Sequence, residues 1–417
     1  MDRSCTSCQQ PTVGRNARAT FCSTACHDAV GGATSREALL AGVATRALAL
    51  PGMPNRIDRQ IVGATLLVKL LLLGFGVVVV ALLGGVIHPY PLGGLAADSR
   101  QLFEPWVRWD ASNYLDVAVF GYRGNLIVFF PLYPWLVGAL NVVVGDPTIA
   151  AFIVSGVASL FVGPILFRLV AADEGPAIAL RSVWFFLIFP TAYFLHIGYA
   201  EALFMALALG SMLAARTDRW WWAGVLGALA ALTRVNGVLL VPALAVEAVM
   251  QWWPERRGWR SRWLAIGMVP LGFLGYLALN QAVYGNPVAF LSIQAALWHR
   301  SLSPPWVGIG ALFDPAVRAP LAWIAELAFV ALALVGVIVS AFRFRPTWTV
   351  WMAGNLLLFT STSVVLSVPR FSLLLFPLFV WFAVLARFRG LAVLITLLSL
   401  SALVLFAGRF ALGTWAF

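Results

Sequence analysis

Asp110 lies in Arg108-Trp109-Asp110-Ala111-Ser112-Asn113-Tyr114, after the first long apolar run, in a loop expected just outside a membrane. Only 11% of the residues are charged, so an acid between aromatics at a bilayer edge is costly unless it is used. Phe129-Phe130-Pro131-Leu132-Tyr133-Pro134 then forms a stiff aromatic-proline entrance to the next apolar segment. Further polar groups break the apolar runs in a similar way. They are Tyr199-Ala200-Glu201, Thr233-Arg234-Val235-Asn236-Gly237, Asn286-Pro287 leading to Gln294 and Trp298-His299-Arg300, and Pro369-Arg370-Phe371. Taken singly, each is also what an interfacial side chain or a helix-pinning contact looks like. Taken together, they supply carboxylates and arginines for one site. A carboxylate can accept a proton from an attacking hydroxyl while a sugar carbon leaves its phosphate. Arginine's planar fork suits the charge that develops on that phosphate.

Other chemistries find little support. There is no glycine-rich phosphate loop, no histidine cluster, and no cysteine or serine nucleophile arrangement, so soluble nucleotide-sugar chemistry is not indicated. His88, His196 and His299 stand alone and read as helix-end or packing residues. Lys69, inside the first apolar run, either snorkels or meets a lipid phosphate.

A chain of 417 residues that is 61% hydrophobic cannot hide that apolar surface in a soluble fold. The fold expected is an all-α polytopic membrane protein. Apolar segments run at about 61–87, 125–145, 148–171, 177–197, 200–215, 220–250, 263–283, 321–342, 348–366, 371–386 and 391–408. The net charge of +11 reads as arginines that set orientation and meet anionic headgroups, with no nucleic-acid partner. Arg256, Arg257, Arg260 and Arg262, then Arg343 and Arg345, then Arg387 and Arg389 fall on one face, taken as cytoplasmic. The earlier spans allow two arrangements. Three full spans between Asp110 and Glu201 would separate the two acids. A 220–250 hairpin broken at Thr233–Gly237, with one earlier re-entrant segment, would unite them on the outer face, and this arrangement is preferred.

All four cysteines precede residue 27, as Cys5-x2-Cys8 and Cys22-x3-Cys26. Two close pairs around a basic loop match a four-cysteine structural zinc site, and so short a segment needs a staple to fold. Paired disulfides or a disordered tail are the other readings; thiolate chelation suits a reducing cytosol. The domains expected are a zinc knuckle over 1–30, able to dock a cytoplasmic protein, a linker over 31–60, and a membrane domain over 61–410. The polar first thirty residues do not read as a cleavable signal peptide.

Trp109-Asp110, Gly121-Tyr122, Phe129 to Pro134, Tyr199 to Phe204, Thr233 to Gly237, Gly285-Asn286-Pro287 with Phe290, Gln294 and Trp298, and Pro369-Arg370-Phe371 with Phe376-Pro377-Leu378-Phe379 occur in order. This series resembles the GPI mannosyltransferase II (PIG-V) family and its bacterial relatives, within the GT-C membrane glycosyltransferases. It covers about residues 60–410. The Trp-Asp pair and the Phe-Pro-Leu-Tyr-Pro stretch are its specific elements. The resemblance implies a GT-C-like helical bundle, a polyprenyl-phosphate-mannose donor, inverting transfer, and an active site at the extracytoplasmic surface. Asp110 matches the family's first-loop acid and would be the base; Glu201 matches its second acid. Arg234 and Arg370 match its basic positions, and Gln294 and Trp298 its later outer loop. Substrate-binding roles for Trp109, Tyr133, Arg234, Asn236, Gln294, Trp298 and Arg370 follow from charge and placement. No active-site metal is assigned. The knuckle departs from the family pattern and points to a bacterial member without a GPI acceptor. The function expected is transfer of a mannose-like sugar to a lipid-linked or cell-surface glycan, in the plasma membrane with the amino terminus cytoplasmic. The alternative is a transporter or flippase of lipid-linked sugars.

Overall fold

The computed structural model describes residues 56–84, 102–253, 260–313 and 320–416. Cys5, Cys8, Cys22 and Cys26, with their expected knuckle and most of the linker, lie outside the described residues. Within them the chain is helical, with one isolated bridge between Leu302 and Thr362. Among the described residues, six helices are long and apolar enough to cross a membrane: Arg56–Leu83, Pro147–Glu174, Val235–Trp252, Ser261–Tyr284, Trp323–Arg343 and Arg389–Ala411. Outward-facing Leu66, Leu67, Leu70 and Leu71 on the first of these suit contact with lipid tails.

Local signals explain the element ends that matter for the site. Asp146 caps helix Pro147–Glu174 by accepting from the Ile149 amide at 3.0 Å, and Pro147 occupies the first turn, where no donor is lost. Helix Leu132–Val144 starts after Pro131 and stops at Gly145, whose φ of 74° suits glycine. Helix Trp220–Thr233 and the span Ser261–Tyr284 touch through glycines. A Cβ on Gly224 would collide with the Ala265 carbonyl, and one on Gly272 with the Ala228 carbonyl. Rings fill the centre: Phe186 and Phe189 meet Phe379 edge-on at 5.2 and 5.1 Å.

One sequence expectation changes. The 125–145 segment is no long helix; it holds a short 3₁₀ turn at Leu126–Val128 and the 13-residue helix Leu132–Val144. That helix folds back on the start of Pro147–Glu174, where the Tyr133 hydroxyl meets Ser155 at 2.9 Å. The run 220–250 breaks at Arg234, within the Thr233–Gly237 stretch named by the preferred arrangement, into Trp220–Thr233, a 3₁₀ stretch Val235–Leu239, and Leu240–Trp252.

The bundle has two chemically distinct ends. At one end, ion pairs join Asp58 to Arg168, Asp173 to Arg216, Glu174 to Arg343, Glu247 to Arg345 and Asp218 to Arg262. Arg345 lies between two helices there. Burial disfavours its charge, but the Glu247 carboxylate more than compensates and raises its pKa. The opposite end holds Ser155, Tyr199 and the groups described next.

Candidate active site

Asp110 opens helix Asp110–Phe120, where a negative charge is favoured at the first turn. The preceding Trp109 has φ 52°, a left-handed backbone costly for a tryptophan, so the surrounding structure must enforce this corner. Tyr199 helps by donating to the Arg108 carbonyl at 2.7 Å. Glu201 opens helix Glu201–Arg216 and is 1% exposed. Arg234 lies at the break between the two halves of 220–250, and Arg370 in the short helix Val368–Ser372.

These four residues converge. Arg370 donates from Nη1 to Asp110 Oδ2 at 2.6 Å and from Nε to Glu201 Oε1 at 2.5 Å. Arg234 donates from Nη1 to the same Glu201 oxygen at 2.6 Å. The two acids therefore share one end of the bundle, as the preferred arrangement requires. The Phe194 and Tyr199 rings, set edge to face with centroids 4.9 Å apart, each lie 4.7 Å from the Arg370 guanidinium, two cation–π contacts that help hold it. Burial opposes the Arg370 charge, yet Glu201 and Asp110 hold its pKa well above the ordinary arginine value. Two acids and two arginines cancel, as buried charges must for the fold to tolerate them.

Exposure separates their uses. The Asp110 side chain is 32% exposed while those of Arg234, Arg370 and Glu201 are 13%, 8% and 1% exposed, so Asp110 is the member of the cluster most open to solvent. The Glu201 Oε2 atom is buried with no hydrogen-bond partner among the described residues. Arg234 spends one nitrogen on Glu201 and lies 5.4 Å above the Phe371 ring.

The remaining expected residues are placed differently. Tyr133 is fully buried, bonded to Ser155 and to the Ala151 carbonyl at 3.2 Å, and edge-on to Tyr114 at 5.0 Å. Ser155 in turn donates to the Tyr199 carbonyl at 2.9 Å, so Tyr133 braces the Tyr199 segment from behind. Asn236 donates to Asn355 at 2.7 Å, a buried amide pair. Trp109 is half-exposed and edge-on to Trp415 at 5.1 Å. Gln294 and Trp298 sit half-buried on helix Ala289–Trp298, whose Phe290 packs on Tyr276 at 5.3 Å. Among the described hydrogen bonds none joins them to the acid–arginine cluster. Lys69 donates to the His196 carbonyl at 2.8 Å, and the His196 ring is wholly buried.

Sequence reasoning passed over Phe194 and Tyr199 as site residues, because rings in an aromatic-rich chain carry no signal of which cation they cover. It also passed over Glu326, a buried acid within the apolar run 321–342. A single carboxylate in such a run is itself the signal.

Residues 93–284 match the family described as Mannosyltransferase (PIG-V). The PIG-V match contains Asp110, Glu201 and Arg234, while Arg370 reaches the cluster from outside it. Mouse GPI alpha-1,6-mannosyltransferase 2 is 35% identical over 147 residues, 32% of this chain and 29% of that protein. Schizosaccharomyces pombe GPI mannosyltransferase 2 is 30% identical over 148 residues, 33% of this chain and 31% of that protein. The chain thus spans about three-tenths of the length of the PIG-V relatives it matches. Among solved structures, ArnT from Cupriavidus metallidurans bound to undecaprenyl phosphate aligns over 85% of this chain and 76% of that one. Its identity is 14% and the TM-score is 0.45.

Proposed function

We propose that this protein is a membrane glycosyltransferase of the GT-C kind. It moves a mannose-like sugar from a polyprenyl phosphate to a lipid-linked or cell-surface glycan. The observation that carries this reading is the joining of Asp110, Arg370, Glu201 and Arg234 through contacts of 2.5 to 2.6 Å. It occurs in a chain whose residues 93–284 match a mannosyltransferase family.

Asp110 is the general base. Arg370 holds one of its oxygens, and the other is uncommitted among the described hydrogen bonds on a side chain 32% exposed. The acceptor hydroxyl attacks the anomeric carbon from the face opposite the phosphate. The carbon–oxygen bond to phosphate breaks, the hydroxyl proton passes to Asp110, and the anomeric configuration inverts. Arg234 is the better phosphate partner, because only one of its nitrogens is engaged by Glu201 among the described hydrogen bonds. Arg370, held by two carboxylates and two rings, orients Asp110. We place the site on the extracytoplasmic face of the plasma membrane, opposite the ion-paired end. On spacing alone we also assign a structural zinc to Cys5, Cys8, Cys22 and Cys26. Metal analysis should find one zinc per chain, lost on Cys5→Ser; oxidised, metal-free cysteines would overturn that assignment.

Proteoliposomes containing the full chain test the main reading. Labelled mannose should pass from polyprenyl phosphate to a membrane glycan and not from a sugar nucleotide. Use of the nucleotide, or movement of intact donor across the bilayer without transfer, would overturn it.

A further inference from the structure

The corner carrying Arg370 is held from several directions. Thr191 donates to the Pro369 carbonyl at 2.9 Å, and Arg300 to the Leu366 carbonyl at 3.3 Å. The strongest hold comes from Glu326, fully buried on the long helix Pro320–Arg343. Its two carboxylate oxygens accept separately from the backbone amides of Ser367 at 2.6 Å and Val368 at 2.7 Å. Between those amides the chain turns through a left-handed Ser367 with φ 65°, and Arg370 follows within the next turn.

We propose that Glu326 is a positioning residue for sugar transfer. By holding the Ser367–Val368 corner it aims the Arg370 guanidinium at Asp110 and Glu201. Only a carboxylate supplies the chemistry this corner needs. Two adjacent buried amides point at one spot, and each needs an acceptor. A carboxylate meets both at once, and its charge shortens and strengthens both bonds. The left-handed serine costs energy that the free chain would release by relaxing. Without Glu326 the corner loses its reason to stay turned. Arg370 would then swing out of 2.6 Å contact with Asp110. Asp110 would keep its proton-accepting oxygen but lose its orientation. Both Glu326 oxygens accept from the Ser367 and Val368 amides, so the residue acts on Arg370 through the backbone.

This inference rests on the proposed transferase reading, and the test separates the two. Glu326→Gln is near-isosteric and keeps one acceptor for the two amides; Glu326→Ala removes both. With wild-type protein transferring mannose, Glu326→Gln should lower kcat about tenfold while the KM for donor stays within about twofold. A displacement near 1 Å at a reacting group is enough for such a loss. Combining Glu326→Gln with Arg370→Lys should cost little beyond Arg370→Lys alone, since both changes act through the same contact. Fully additive losses, or an unaltered kcat in Glu326→Gln, would overturn the proposal. Should wild-type protein transfer no sugar, the transferase reading fails, and electron cryomicroscopy of Glu326→Ala in nanodiscs still decides the positioning. Arg370 separated from Asp110 supports it; an intact contact in that variant refutes it.

Discussion

Asp110→Asn is the change that bears most directly on the chemistry. Asparagine keeps a carbonyl oxygen where Asp110 accepts from Arg370 at 2.6 Å, so the corner can hold its shape. It removes the proton-accepting oxygen. General-base assistance is worth about 100- to 10,000-fold, or roughly 2.7 to 5.4 kcal/mol of transition-state stabilisation. The competing explanation is that Asp110 merely pairs with Arg370. Asparagine keeps the hydrogen bond to Arg370, so only the charge of a partly screened pair is lost, worth about 1 kcal/mol, near fivefold in rate. The two explanations differ by more than tenfold, which an assay resolves. Vesicles carrying wild-type or variant protein would be given labelled polyprenyl-phosphate mannose, and label in the glycan fraction followed at saturating donor. A loss of at least 100-fold with unchanged donor binding supports the base. A loss below tenfold refutes the assignment, whatever else Asp110 does.

Other expectations follow from the same contacts. Arg234→Gln should raise the donor KM by about tenfold and leave the acceptor KM within twofold, since one charge-assisted contact to phosphate is worth roughly 1.5 to 3 kcal/mol; equal effects on both substrates would count against the phosphate role. Glu201→Gln strands two arginines that share one Glu201 oxygen and should sharply lower thermal stability, whereas Glu201→Gln with Arg234→Gln restores charge balance and should recover much of it. Stability no better in the double variant would refute the balance argument. Glu247→Ala removes the carboxylate that takes Arg345 at 2.8 and 2.9 Å and Thr347 at 2.9 Å, at the end away from the site. Heat inactivation should quicken while initial transfer rate at low temperature stays near wild type; an equal loss of initial rate would refute that separation.

The charges of the candidate site were legible because an ionisable residue within an apolar run is conspicuous and expensive. Asp110, Glu201, Arg234 and Arg370 are distant in sequence, yet each interrupts such a run, and the structure joins them by direct contacts. Direction was not legible. Tyr133 and Tyr199 look alike as residues, but one braces from behind at full burial and the other covers the Arg370 guanidinium. Helix length was misread where proline and glycine rule. The stretch 125–145 is apolar enough for a span, but Pro131 and Gly145 confine its helix to 13 residues. Breaks were read better than lengths, since Thr233-Arg234-Val235-Asn236-Gly237 carries both a charge and a glycine, and the helix ends there. Glu326 shows the remaining gap. The rule that found Asp110 applies to it equally, but its partners are backbone amides that no sequence pattern displays.

The neutrality of the cluster fits the proposed transfer better than a surplus of positive charge would. Before reaction, Asp110 and Glu201 balance Arg234 and Arg370. A donor phosphodiester adds one negative charge. As the sugar leaves, the phosphate gains a second, and at that moment Asp110 takes up the acceptor's proton and becomes neutral. One unit of negative charge has moved from Asp110 to the leaving phosphate, while the total is unchanged. Arg370, until then shared between Asp110 and Glu201, loses one claim on its charge as the phosphate acquires a need for it. Glu201, 1% exposed and bound to both arginines, keeps those cations in place while the charge beside them shifts. A fixed pair of cations that serves the base before the step and the leaving group after it needs no reorganisation, and preorganisation of this kind is the largest single source of rate enhancement in many enzymes.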